Sequence, residues 1–134
     1  MAKSDNLLRL PSRVDYLKRV ENLISNLSLH YKIDQEAKDK ISLAVLEAVK
    51  NAICHGNKLD LKNTVTVHFQ VSENSISCDI IDEGDGFDIF AIPDPTLPEN
   101  IEKLSGRGLF LMNYLADSVE HSADGRHVKM IFNI

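Results

Sequence analysis

Glu47, Asn51 and His55 stand four residues apart in a stretch, Ile41 to Asn57 (ISLAVLEAVKNAICHGN), that is otherwise almost wholly apolar. On a helix the three share a face, with a carboxylate and a carboxamide about one turn, roughly 5 to 6 Å, apart. Burying a carboxylate is costly unless something pairs with it or must reach it. A metal ion, a nucleotide or a substrate hydroxyl could do so; so could a local Lys or Arg in a purely structural pair, and the helix by itself does not separate these readings. Two glycine-bearing stretches extend the set. DEGDGF (Asp82 to Phe87) places Gly84 and Gly86 around an acid, either as a strand-to-loop turn whose glycines supply positive φ or as part of a binding site. SGRGLFLM (Ser105 to Met112) is either a tight turn into a helix or a set of free N–H groups at a positive helix end, suited to phosphate, with Arg107 adding charge between Gly106 and Gly108. His55 reads as a core histidine on an apolar helix, and His30, His68, His121 and His127 form no metal-ligand spacing with it. There is no GxxxxGK[ST] loop, no GxSxG elbow and no supported Cys/His nucleophile pair.

The elements that must position these residues follow from periodicity. Residues 5 to 11 alternate weakly and end at Pro11, as a short edge strand does, and Ser12 reads as an N-cap. From Arg13 to about Leu29, Val14, Leu17, Val20, Leu23, Ile24 and Leu27 recur at threes and fours, predicting an amphipathic helix with Arg13, Lys18, Arg19 and Glu21 facing away. Asp34 can cap the next helix, which runs through the Ile41 to Asn57 stretch and stops at Gly56, a good residue to end it, with Asn57 beside it. TVTVHFQV (Thr64 to Val71) and SISCDII (Ser75 to Ile81) alternate with period two across Glu73 and Asn74, an antiparallel hairpin. Residues 88 to 105, with Pro93, Pro95 and Pro98, predict an irregular lid or binding loop. A helix with Leu109, Met112 and Leu115 on its buried side comes next, then strands around 118 to 122 and 126 to 134 joined at Asp124 and Gly125. The pattern is α+β: a two-layer sandwich with helices on one face of a mostly antiparallel sheet, and the three unusual stretches meeting at one edge.

A chain of 134 residues is one domain able to bury a real core. The net charge of −5 and the lack of a Lys/Arg cluster argue against a nucleic-acid binder and for protein or small-molecule partners. No apolar run reaches the roughly 18 to 20 residues of a membrane span, and the N-terminus lacks a signal-peptide core, so a cytoplasmic protein is expected. Cys54 and Cys78 read as buried free thiols.

In combination and order, EAVKNAICHGN, DEGDGF and SGRGLFLM resemble the N box and the two glycine boxes of the GHKL (Bergerat-fold) ATPases, and within them the small bacterial anti-sigma factor serine/threonine-protein kinases. The resemblance runs from about Leu7 to Ile134 and implies that residues 1–134 form a single histidine-kinase-like ATP-binding domain. It implies ATP and Mg²⁺ as cofactors, with Glu47 as the general base toward a seryl hydroxyl and Asn51 as the Mg²⁺ ligand. Asp82 would accept the adenine amino group, Gly84 and Gly86 would allow close approach, and Gly106, Arg107 and Gly108 would hold the phosphates beneath the lid.

The family pattern also departs here in one place. Its last hairpin often carries Gly-Thr near adenine, where this chain has Gly125 followed by Arg126 and His127. The implied activity is phosphorylation of an anti-sigma factor antagonist, alternating with sequestration of a sigma factor, by a homodimer. Two other readings stand beside it: a nucleotide-binding partner-switch module that transfers no phosphate, and a GHKL-like ATPase with another protein substrate.

Overall fold

The computed structural model describes residues 4–84 and 111–134. Strand β1 (Ser4–Pro11) leads through a 3-10 turn (Val14–Tyr16) into helix α1 (Leu17–His30). Helix α2 (Gln35–Asn51) continues without a break into a π-helical turn (Ala52–Gly56). Strands β2 (Thr64–Val71) and β3 (Ser75–Ile81) form the central hairpin, residues 111–115 are helical, and β4 (Ser118–His121) and β5 (His127–Asn133) form the last. The sheet order is β1-β2-β3-β5-β4, and every pairing is antiparallel. This is the two-layer α+β arrangement that the sequence pattern predicts, with β1 at an edge.

Alternation sets the layers. Along β2, Val65, Val67, Phe69 and Val71 are buried while Thr64, Thr66, His68 and Gln70 are half-buried on the other face. The register carries this across the sheet: Leu10 lies opposite Val65, Phe69 opposite Cys78, and Cys78 opposite Met130. Val20 and Ile24 of α1, with Ile41, Val45 and Val49 of α2, join these residues in one buried cluster. The other face of the sheet bears a polar cross-strand row, His68, Asp79, Lys129 and Glu120, and His127 Nε2 lies 2.8 Å from Asp79 Oδ1.

Helix α2 starts where Asp34 Oδ1 accepts the Ala37 N–H at 2.8 Å, the cap expected. Ser12, by contrast, caps nothing. The chain enters α1 through the 3-10 turn with Arg13 at its cap position, while the Ser12 hydroxyl is buried and donates to the Asn63 carbonyl at 2.6 Å. A serine before an apolar-periodic run looks like a cap because the competing bond lies 51 residues away in sequence. Both cysteines are free; Cys78 is buried and Cys54 half-buried. Burial, reinforced by Asp79, pushes the Cys78 thiol well above its ordinary value, which keeps it protonated and inert. No helix among the described residues is long and apolar enough to cross a membrane.

Candidate functional site

The end of α2 and the end of β3 build the site together. An ordinary α-helix would carry Glu47, Asn51 and His55 up one face, but the last turn is widened: the Asn57 N–H bonds the Ala52 carbonyl, five residues back, at 2.7 Å. Single π turns of this kind interrupt the helical register and recur at functional sites. Glu47 and Asn51, still within α2, are half-buried; His55, on the widened turn, is exposed rather than a core histidine. Leu43, one turn before Glu47, is 52% exposed, so the helix is less enclosed on this side than its apolar sequence suggests. Neither Glu47 nor Asn51 has a side-chain hydrogen bond or ion pair among the described residues, so the structural Lys or Arg partner weighed above is not found there.

The widened turn sets Gly56 against Asp82. A methyl group on Gly56 would stand 2.4 Å from Asp82 Oδ2, and one on Gly84 would stand 1.7 Å from the Gly56 carbonyl oxygen. Glycine is therefore required at both positions by close approach and not by backbone twist; among the described glycines only Gly125 has positive φ, at 74°. Since the obstacle to Gly84→Ala is backbone, which cannot swing aside, that substitution is expected to destabilise the fold by about 1–3 kcal/mol, read from urea unfolding.

Asp82 is 7% exposed. Its Oδ1 accepts the Gly84 N–H at 3.0 Å, and its own N–H donates to the Arg126 carbonyl at 2.9 Å, continuing the sheet past the end of β3. Burial raises the Asp82 carboxyl above the ordinary carboxylate value. The Gly84 N–H and the Arg126 charge oppose that rise, and Asp124 adds to it. The result is a desolvated acceptor with one oxygen committed to its own turn and the other packed against Gly56, whose missing side chain makes room for the carboxylate.

In the sequence Asn57 is a residue beside the helix stop; in the fold it is 2% exposed and central. Its Nδ2 donates to Ser12 Oγ and to the Thr64 carbonyl, each at 3.0 Å, and its Oδ1 accepts the Glu83 N–H at 2.8 Å. Glu83 Oε1 in turn accepts from the N–H and hydroxyl of Thr64. Nothing local signals this role, because the partners come from the ends of β1, β2 and β3. Gly86, Gly106, Arg107 and Gly108, and the lid of residues 88 to 105, lie outside the described residues. The end of α2 and the Asp82–Gly84 turn are thus brought together, and the second glycine stretch remains a sequence expectation. Among the described residues no group of three or more His, Cys, Asp or Glu could hold a metal ion.

Residues 10–132 match the family model of the histidine kinase-like ATPase domain. The chain is 30% identical to the serine-protein kinase RsbW of Bacillus licheniformis over 123 residues, which covers 87% of this chain and 77% of that protein. It is 29% identical to the serine-protein kinase RsbW of Bacillus subtilis, covering 84% and 75%. In fold it is similar to the crystal structure of the RsbU and RsbW domains of a Mycobacterium tuberculosis protein, with a TM-score of 0.68 at 17% identity; the match covers 96% of this chain and spans about a third (32%) of that one. Two helices packed on an antiparallel sheet, a widened helix end seated against a buried aspartate, and these matches lead to one conclusion: the chain belongs to the histidine kinase-like ATPase family of GHKL type, in its RsbW serine-protein kinase branch.

Proposed function

We propose that the protein is an ATP- and Mg²⁺-dependent serine/threonine-protein kinase that phosphorylates an anti-sigma factor antagonist and otherwise sequesters a sigma factor. The observation that carries the reading is the pairing of a buried carboxylate, Asp82, with Glu47 and Asn51 along the adjoining helix, both half-buried and without a side-chain partner among the described residues. Asp82 fits a nucleobase amino group because its carboxyl is a desolvated acceptor, seated where the missing side chain of Gly56 makes room for it. Asn51 fits Mg²⁺ because a neutral carboxamide oxygen is a hard ligand that leaves room for bound waters. ATP held there with Mg²⁺ would supply the phosphoryl group. Glu47, one helical turn from Asn51, would orient the seryl hydroxyl and take its proton as the oxygen attacks. Gly106, Arg107 and Gly108 would enclose the phosphates, and Gly86 would flank the base. A cytoplasmic homodimer, formed by a single ATP-binding domain over residues 1–134, belongs to the same proposal.

The test uses labelled ATP, Mg²⁺ and candidate antagonists from the same genome. Transfer of label to a serine supports a kinase; tight ATP binding without transfer to any candidate makes the protein a nucleotide-dependent binding module. Recovery of a sigma factor with the purified protein separates sigma control from another protein substrate. Asn51→Ala is expected to weaken Mg²⁺-ATP binding by about tenfold or more, with metal-free ATP binding much less affected. Equal Mg²⁺-ATP affinity in Asn51→Ala and the parent, by calorimetric titration, would remove Asn51 from the metal site.

A further inference from the structure

We infer that Asn57 is the positioning residue of the base-recognition wall: its buried carboxamide holds the Asp82–Gly84 turn at the height that lets Asp82 select a purine by its amino group. The inference rests on the nucleotide-binding reading of this site. Among the described residues the turn is otherwise tied to the sheet by the Asp82 N–H, which donates to the Arg126 carbonyl at 2.9 Å. Glu83 offers its N–H to Asn57 Oδ1 at 2.8 Å, and Asn57 is itself fixed from the far side by Ser12 Oγ and the Thr64 carbonyl, each at 3.0 Å. The Glu83 side chain reaches back to Thr64, so the turn and the start of β2 are sewn together on both sides of Asn57. Gly84 then rests on the Gly56 carbonyl, one residue before Asn57, and returns its N–H to Asp82. A shift of Asn57 therefore moves the Gly56 floor and the Glu83 tether of Asp82 together.

A carboxamide is the group that this position needs. The site asks for two donors, toward a hydroxyl and a carbonyl, and one acceptor, toward an N–H, from one short side chain. Aspartate lacks the donors and leucine lacks all three. The widened helix end explains how a residue just past a helix comes to point inward: the Asn57 N–H is consumed by the Ala52 carbonyl, and the Lys58 and Leu59 backbones take positive φ, 51° and 60°, as the chain turns away. Non-glycine residues hold such angles only where the surroundings fix them, and here the Leu59 N–H is bonded to the Ile53 carbonyl at 2.9 Å.

The probes are ATP and inosine triphosphate, which carries an oxo group where ATP carries the amino group. The parent is expected to prefer ATP by about tenfold or more, and Asn57→Ala to bring that preference to within about threefold of unity, since a site loses discrimination when its polar group no longer meets its partner. In the ligand-free protein the Glu83 and Gly84 amides should exchange faster with solvent in Asn57→Ala than in the parent, while the amides of β5 keep their protection. A role in stability alone would lower the unfolding midpoint and leave the ATP preference of the folded protein unchanged, and that result overturns the inference. Where Asn57→Ala fails to fold, Ser12→Ala decides: it removes one anchor of Asn57, and a preference for ATP equal to that of the parent overturns the inference. A parent that binds neither nucleotide overturns the nucleotide reading itself, and is told apart from the other outcomes by its failure before any substitution is made.

Discussion

Glu47→Gln is expected to lower phosphoryl transfer to a protein serine by about 10² to 10⁴-fold while ATP affinity stays within about threefold of the parent. The substitution keeps the volume and the polar character of the side chain and removes only its ability to take a proton. Its structural cost should be small for a reason visible in the fold: Glu47 has no ion-pair or hydrogen-bond partner among the described residues, so neutralising it strands no opposite charge. Removing one member of a buried ion pair would instead cost about 3–5 kcal/mol. The unfolding midpoint and the rate therefore report different things. A fall in rate with an unchanged midpoint supports proton transfer by Glu47. A rate within tenfold of the parent removes Glu47 as the base, and a large drop in stability revives the structural reading of this carboxylate.

Much of this arrangement could be read in the sequence, and the reasons differ by element. TVTVHFQV and SISCDII became β2 and β3 with the boundaries expected, because a sheet with one face on the core enforces a period of two that no helix can mimic. Asp34 acts as the expected cap because its partner, Ala37, is three residues away. What could not be read depends on distant partners. Ser12 and Asn57 sit 45 residues apart and meet only once β1 and the end of α2 have docked, so in the sequence each has the look of an ordinary helix-boundary residue. The π turn is illegible for another reason: a 3.6-residue pattern running into ICHG carries no mark of the place where the helix widens, so the sequence alone aligns His55 with Glu47 and Asn51. The first glycine stretch suggests both positive φ and close approach without saying what approaches. Gly84 proves to be needed for its missing side chain, which only the approach of Gly56 reveals.

That approach also fixes the second large effect, at Asp82. Asp82→Asn is expected to weaken ATP binding by about 10- to 100-fold, corresponding to the roughly 1.5–3 kcal/mol of a hydrogen bond to a charged group, because the substituted amide can turn a donor toward the donor of the base. The same change should not weaken the fold. Asn retains an oxygen to accept the Gly84 N–H, and it removes a carboxyl that burial holds above its ordinary value. The sign follows from that shift. With the folded value raised, the folded state binds the proton more readily than the unfolded chain; the favourable contribution of Asp82 is complete below the ordinary carboxylate value and is lost as pH rises through the folded value. Above that point the parent carries the full cost of a buried charge and the variant carries none. Urea unfolding of both proteins between pH 4 and 7 should therefore show the variant gaining on the parent as pH rises. A site in which the residue that recognises the ligand is also one that strains the empty fold should be stabilised by ATP, and Asp82→Asn should lose most of that ligand-dependent gain. If Asp82→Asn binds ATP as the parent does, Asp82 is not the acceptor of the base; if the variant falls further behind the parent toward pH 7, the carboxylate stabilises the fold and the cost assigned to its burial is wrong.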